Sequence, residues 1–362
     1  MTKKTIVLHI GHGKTGSSYL QSCLALNRDK LLALGIDYPW HRSFAKATSG
    51  SISSGNGTNF LQFLPELNAE SEIVVFSSEF LFARLLASTQ FKDLLKSEEY
   101  RIEVLLYTRN LFEMTFSSWG QAVKRGGLTL DVNTTLLKNP SGPYDQCLKW
   151  LKLTEQFQFK LLIRNYSNHK QDLAQRFFRD LTGHEDFPLV LLQSINVNRS
   201  LTSAELNCQR VVNSLKLDKP HLSDHLVHEL PGIKPSKIKC SREAYDLVRS
   251  KNANTIELLN QSLDPDEAVQ IEPPEEVTCS EIELNENTLE QEQVKIIAEY
   301  LSKYLVSEKD SEIDMIRDIA MKISKNSTDL NDALNLMKIA QRHRPDGRRI
   351  RKLICKLEQK LD

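Results

Sequence analysis

Between Gly11 and Ser18 the chain reads G-H-G-K-T-G-S-S, two residues after the apolar run Ile6-Val7-Leu8. These residue types suit an oxyanion. Glycines let backbone N–H groups close around it, Thr15, Ser17 and Ser18 can donate, and Lys14 supplies a full positive charge. A helix opening near Ser17 and running through Leu20 and Leu24 adds partial positive charge at its first turn. The ligand expected here carries phosphate or sulfate. A second pair points the same way: Arg109 and, eight residues later, Ser117. A guanidinium forks onto a phosphate dianion and a hydroxyl donates beside it. That spacing recurs by chance in any chain, so its weight comes from lying close to the first loop.

The elements that must position these residues follow from the apolar pattern. Ile6 to Leu8, Ile73 to Phe76, Arg101 to Tyr107 and Phe159 to Ile163 are short β-rich runs separated by helical segments. They predict a parallel sheet with helices on both faces. In such sheets ligands sit at the carboxyl ends of the strands, and Lys14, Glu79 and Arg109 all lie just past strand ends. The polar stretch Ala45 to Asn59 (AKATSGSISSGNGTN) is too rich in serine and glycine for an element and reads as a surface loop or a lid facing substrate.

The glycine loop admits other readings. Gly11, Gly13 and Gly16 spell the dinucleotide fingerprint G-x-G-x-x-G, with Asp37 about twenty residues on where a ribose-binding acid is expected. Leu31 to Ile36, however, reads as a helix end closed by Gly35 and not as a second buried strand. Gly13-Lys14-Thr15 matches the end of a kinase or ATPase loop, but Leu8 stands where its first glycine belongs, and Ser77-Ser78 where its Mg²⁺-binding aspartate would sit.

Composition bounds the remaining classes. In 362 residues the formal charges cancel, so nothing global argues for nucleic acid or an acidic membrane surface as partner. Six scattered cysteines without a C-x-x-C pair read as reduced thiols. The start MTKKTIVLHIG is basic, but its apolar run stops at His9, and no later run reaches membrane-spanning length; a cytoplasmic protein is expected.

The string HIGHGKTGSSYLQ, together with Y-T-R-N-L-F-E-M-T-F-S-S-W, resembles the sulfotransferases that use 3′-phosphoadenosine 5′-phosphosulfate, in particular their bacterial, carbohydrate-sulfotransferase-like branch. Tyr144 to Thr182 and Asn198 to Thr202 extend the likeness over roughly the first 260 residues. The resemblance implies a P-loop-type fold. It implies that Gly13, Lys14, Thr15, Gly16, Ser17 and Ser18 hold the 5′-phosphosulfate, and that Arg109 and Ser117 hold the 3′-phosphate. Lys14 would neutralise the leaving phosphate, with backbone N–H groups of Gly16 to Ser18 assisting. Glu79 would be the base, as in the carbohydrate enzymes, although it also reads as a helix-start glutamate capping Phe80 to Leu86. His12 and Glu113 are alternative bases; His9 reads as a core histidine. The acceptor implied is a hydroxyl on a glycan or glycoconjugate, and no metal is required. The arginine-lysine-glycine triplet with which eukaryotic members complete the 3′-phosphate site is missing, and Arg199 is a substitute candidate. Against this reading stand an ATP-dependent kinase and a non-catalytic nucleotide-binding scaffold.

His221, His225 and His228 fall at helical spacing with Asp224 and Glu229 nearby, yet Leu222, Leu226 and Leu230 form an equally regular apolar stripe, and no H-E-x-x-H motif supports a metal site. The expected division is a sulfotransferase-like α/β domain at 1–263, an acidic linker or loop at 264–292, and a helical segment at 293–362. Within the last, Asp332 to Ala340 and Ile350 to Leu361, joined at Arg344-Pro345-Asp346-Gly347, resemble a single tetratricopeptide-like hairpin. Its basic residues Arg342, Arg344, Arg348, Arg349 and Arg351 read as a solvated face, or as contacts for the acidic linker, a protein partner or an anionic acceptor.

Overall fold

The apolar runs become neighbouring strands of one sheet. The computed structural model describes residues 3–50, 53–57, 60–64, 67, 70–97, 99–192, 199–214, 222–234, 238–271, 289–324 and 330–361. Its strands are β1 (Thr5–Gly11), β2 (Ile36–Asp37), β3 (Ile73–Ser77), β4 (Arg101–Thr108) and β5 (Lys160–Asn165), all parallel, in the order β2-β3-β1-β4-β5. The strand pleat divides β1 between two cores. Ile6, Leu8 and Ile10 join Phe76, Val104, Phe112 and Trp150 on one face; Val7 joins Leu24, Val75, Leu105 and Phe177 on the other. Both faces need helices, as an α/β parallel sheet requires.

Those helices are α1 (Ser17–Leu26) and α2 (Arg28–Leu32) before β2, then α3 (Phe44–Thr48) and α4 (Phe60–Phe63) before β3. After β3 come α5 (Leu81–Ala87) and α6 (Thr89–Ser97); after β4, α7 (Leu111–Arg125), α8 (Val132–Lys138) and α9 (Tyr144–Phe157). β5 leads into α10 (Leu173–Thr182), α11 (Ser203–Ser214), α12 (Leu222–Glu229) and α13 (Arg242–Asn260). The chain forms two compact units, Met1–Ser223 with Pro231–Thr288, and Asp224–Leu230 with Leu289–Asp362. The second contains α14 (Gln291–Ile323), α15 (Leu330–His343) and α16 (Arg348–Leu361) around Ile313, Ala320, Met337, Ile350, Ile354 and Leu357. The hairpin read from the sequence therefore packs with a third, longer helix.

The strand order decides where chemistry can occur. β1 is central, and the chain crosses from β3 on one side of it to β4 on the other. The carboxyl end of β1 is thus the topological switch point, with the ends of β3 and β4 beside it.

Three segments depart from the sequence reading. The serine- and glycine-rich stretch is partly built into the fold: its start belongs to α3 (Phe44–Thr48), and Ser53, Gly55 and Asn56 are buried, while Ala45, Lys46, Ser49 and Ser54 are exposed. Asn56 Nδ2 donates to the Val75 carbonyl at 2.9 Å and its Oδ1 accepts from Ser77 N at 2.7 Å. Gly55 has φ +69°, and a Cβ there would lie 1.9 Å from the Ser77 carbonyl, so glycine here serves close approach to β3. Residues 51–52 and 58–59 lie outside the described part. Asp37 does end a strand, β2, but that strand is separated from β1 by β3, and the buried Asp37 carboxylate pairs with Arg28 Nη2 at 3.2 Å. Finally, the stretch read as a solvated linker opens packed. Pro265–Glu267 is a 3₁₀ turn, and Glu267 and Val269 are buried. Most of the acidic stretch, 272–288, lies outside the described residues.

Candidate anion site at the carboxyl end of the sheet

β1 stops at Gly11, where a Cβ would stand 2.7 Å from the Tyr107 carbonyl; His12 N donates to that same carbonyl at 3.2 Å. The chain then reverses through Lys14 at φ +73°, a left-handed conformation that non-glycine residues seldom adopt. Thr15 Oγ1 donates to the His12 carbonyl at 2.8 Å and closes the turn. Gly16 caps the next helix at φ +80°, where a Cβ would meet Leu173 Cδ2 at 2.5 Å. α1 begins at Ser17 without a side-chain cap, and among the described residues the N–H groups of Gly16, Ser17 and Ser18 donate no hydrogen bond. Free donors at a helix N-terminus, with an ammonium in the same loop, form an anion-seeking concavity.

Glu79 follows β3 in an exposed position, and its Oε2 would lie 3.6 Å from a Cβ on Gly13, so the carboxylate sits against the loop. Burial lowers the Lys14 pKa; the Glu79 charge opposes that shift, and Arg125 and Arg109 add to it.

Arg109, directly after β4, joins the same place. Its Nη1 donates to the Lys14 carbonyl at 2.9 Å and its Nε to Glu113 Oε2 at 3.1 Å, while the guanidinium lies 5.2 Å from the centre of the Tyr166 ring. Among the described residues Nη2 donates no hydrogen bond, which leaves one edge of the fork open. Glu113 Oε2 also accepts from Ser167 Oγ at 3.0 Å and from Lys170 Nζ at 2.6 Å. Burial opposes ionisation of Glu113, but Lys170 and Arg109 outweigh it and hold the carboxyl below the usual range. Glu113 is a counter-ion here, and its use as the alternative base does not fit this geometry. Ser117 lies one turn beyond Glu113 on α7 and is half-buried, whereas Ser118 donates to Met114 Sδ at 3.5 Å within its own helix.

No family model matches this chain, and no curated protein matches it. Among solved structures, a sulfotransferase from Alicyclobacillus acidocaldarius is similar at 16% identity and a TM-score of 0.36, over 60% of this chain and 96% of that one.

The turn that carries Tyr166 and Lys170 is fixed from below by a residue the sequence reading missed. Glu267 Oε1 accepts from Arg164 Nη1 and Arg176 Nη2, both at 2.9 Å; its Oε2 accepts from Asn165 N at 2.7 Å and bonds His169 Nε2 at 3.0 Å. Burial pushes its pKa up, but the Asn165 N–H, His169 and Arg164 prevail and hold it low. In the sequence it is one acid among several, with Asp264 and Asp266 just before it and the acidic run 272–288 after it, so nothing marks it out.

Other sequence candidates lie elsewhere. His12 points into the core, with Nε2 3.4 Å from Cys147 Sγ and its ring against Phe82 and Tyr144, buried away from any incoming hydroxyl, which removes it as the alternative base; burial also lowers its pKa to about 3. His9 is a core histidine, as read, with Nδ1 2.8 Å from Ser77 Oγ. Arg199 is buried in a two-pronged pair with Glu205, at 2.8 and 2.7 Å, which removes it as a phosphate ligand. His225 packs against the Tyr300 ring and His228 pairs with Glu229, while His221 lies outside the described residues. The described residues contain no group of three or more metal-type ligands, and no described helix is long and apolar enough to cross a membrane.

Proposed function

We propose that this chain is a sulfotransferase that moves the sulfuryl group of 3′-phosphoadenosine 5′-phosphosulfate onto an acceptor hydroxyl of a carbohydrate or glycoconjugate. The observation that carries this reading is the 2.9 Å hydrogen bond from Arg109 Nη1 to the Lys14 carbonyl. It ties the glycine loop after β1 to the guanidinium after β4, which supports reading them as neighbouring subsites for two phosphates. A nucleotide with phosphates on both its 3′ and 5′ oxygens needs such a pair; ATP and NAD do not.

In this reading Gly13 to Ser18 wrap the 5′-phosphosulfate, and Arg109 with Ser117 holds the 3′-phosphate. Transfer is in line. The acceptor oxygen forms a bond to sulfur while the bond from sulfur to the 5′-phosphate oxygen breaks, and adenosine 3′,5′-bisphosphate leaves. Lys14 and the Gly16 to Ser18 N–H groups meet the charge that gathers on the leaving phosphate, in a half-buried position where such interactions gain strength. Glu79 accepts the acceptor's proton; its exposed carboxylate over Gly13 is open to an incoming hydroxyl.

The test is sulfuryl transfer from labelled donor to a panel of unsulfated glycan oligosaccharides. Wild type is expected to sulfate at least one. Glu79→Gln is expected to lose about 10²- to 10⁴-fold in rate with donor affinity kept, the usual range for removing a general base. A wild type that binds donor but sulfates nothing across the panel contradicts the catalytic assignment and favours a nucleotide-binding scaffold. A Glu79→Gln variant at wild-type rate removes Glu79 from the mechanism.

A further inference from the structure

We infer that Lys170 is the second cation of the donor's 3′-phosphate site and sets the preference for a nucleotide bearing that phosphate; this rests on the sulfotransferase reading above. Arg109 and Lys170 come from different strand ends, yet both donate to one oxygen of Glu113, at 3.1 and 2.6 Å. Ser167 Oγ donates to it as well, at 3.0 Å. One carboxylate oxygen thus gathers two cations and a hydroxyl, the donor set a phosphate oxygen would attract. The Tyr166 ring lies beside both cations, with the guanidinium 5.2 Å and the ammonium 5.9 Å from its centre, and so keeps them together. Two positive charges against one negative leave the cluster net positive, which suits a dianion.

The two cations divide the work. Arg109 is 17% exposed and fixed by the Lys14 carbonyl, so its fork is preset. Lys170 is 40% exposed at the end of a flexible stem, and its ammonium can turn from Glu113 to an incoming phosphate while keeping part of its water. Arg199, the candidate for this role by sequence, is already neutralised by Glu205. Lys14 belongs to the loop at the other phosphate. Among the cations around Tyr166, Lys170 is the one placed to complete Arg109's site.

The experiment is calorimetric titration of wild type, Lys170→Met and Lys170→Arg with adenosine 3′,5′-bisphosphate and with adenosine 5′-phosphate. Wild type should prefer the bisphosphate. Lys170→Met should weaken bisphosphate binding about tenfold or more, the scale of one charge-assisted contact, and leave the monophosphate unchanged. Lys170→Arg should keep most of the preference. A Lys170→Met variant that keeps the full wild-type preference, or that loses affinity for both nucleotides equally, overturns this inference alone. A wild type with no preference for the bisphosphate overturns the donor reading and this inference together. Lys170 is exposed, so its variants are expected to fold, with thermal melts at the wild-type temperature as the control.

Discussion

Lys14 combines two costs that a merely structural turn would avoid. It holds a left-handed φ of 73°, and its ammonium is partly withdrawn from water. Glycine at this position would relieve the backbone, since the left-handed region costs an ordinary residue about 1–2 kcal/mol. Lys14→Gly is therefore expected to raise unfolding free energy by about 1 kcal/mol in urea titrations and to weaken binding of adenosine 3′,5′-bisphosphate. Loss of both stability and binding would mean that the side chain supports the fold instead. The same reasoning separates Glu79 from Glu113. Both stand near the loop, but Glu113 is held by Arg109, Lys170 and Ser167, while Glu79 is exposed above Gly13.

At the scale of elements, the site exists because three strand ends meet around β1. The turn into α1 has little room: a Cβ on Gly16 would collide with Leu173 Cδ2 at 2.5 Å and crowd Tyr166 Cε2 at 3.1 Å. Gly16→Ala is expected to cost about 1–3 kcal/mol in denaturant unfolding, from the left-handed φ and the overlap together. Glu267 acts from further off. Removing it leaves Arg164 and Arg176 short of a buried partner, and Glu267→Ala is expected to lower unfolding free energy by about 3–5 kcal/mol; a change under 1 kcal/mol would show the network to be incidental. These elements also mark how far the sequence could be read. The β1 loop and the start of α1 were legible because turn chemistry and apolar runs are local. Lys170 and Glu267 were not, because their meaning depends on the parallel pairing of β4 with β5 and on a segment about a hundred residues away folding back across it. The surface-loop reading of Ser53 to Asn56 failed for a related reason: composition alone does not distinguish an exposed loop from one whose glycine presses on β3.

At the scale of the whole molecule, the buried histidines set an acid limit. His9 and His12 have pKa values lowered to about 3 by burial, against 6.5 in the ordinary case. The unfolded chain therefore binds more protons than the folded one between those values. Stability is full above pH 6.5 and falls as pH drops toward 3, by up to about 1.4 kcal/mol per pH unit for each ring. Urea unfolding at pH 7 and pH 5 should show that fall, with a shallower one in His12→Phe; an unchanged slope would contradict burial of a neutral ring. In the second unit, α16 spends Ile350, Ile354 and Leu357 on its own core and leaves Arg348, Arg349, Arg351, Lys352 and Lys356 exposed, while Arg344 pairs with Asp314 at 3.1 Å. The measurement that bears most directly on the whole account is calorimetric titration of the full chain with adenosine 3′,5′-bisphosphate, beside ATP with Mg²⁺ and NAD, in wild type and Arg109→Ala. The account predicts binding of the bisphosphate, weakened at least tenfold by Arg109→Ala, on the scale of a lost charge-assisted contact. Binding of ATP or NAD without the bisphosphate would contradict it.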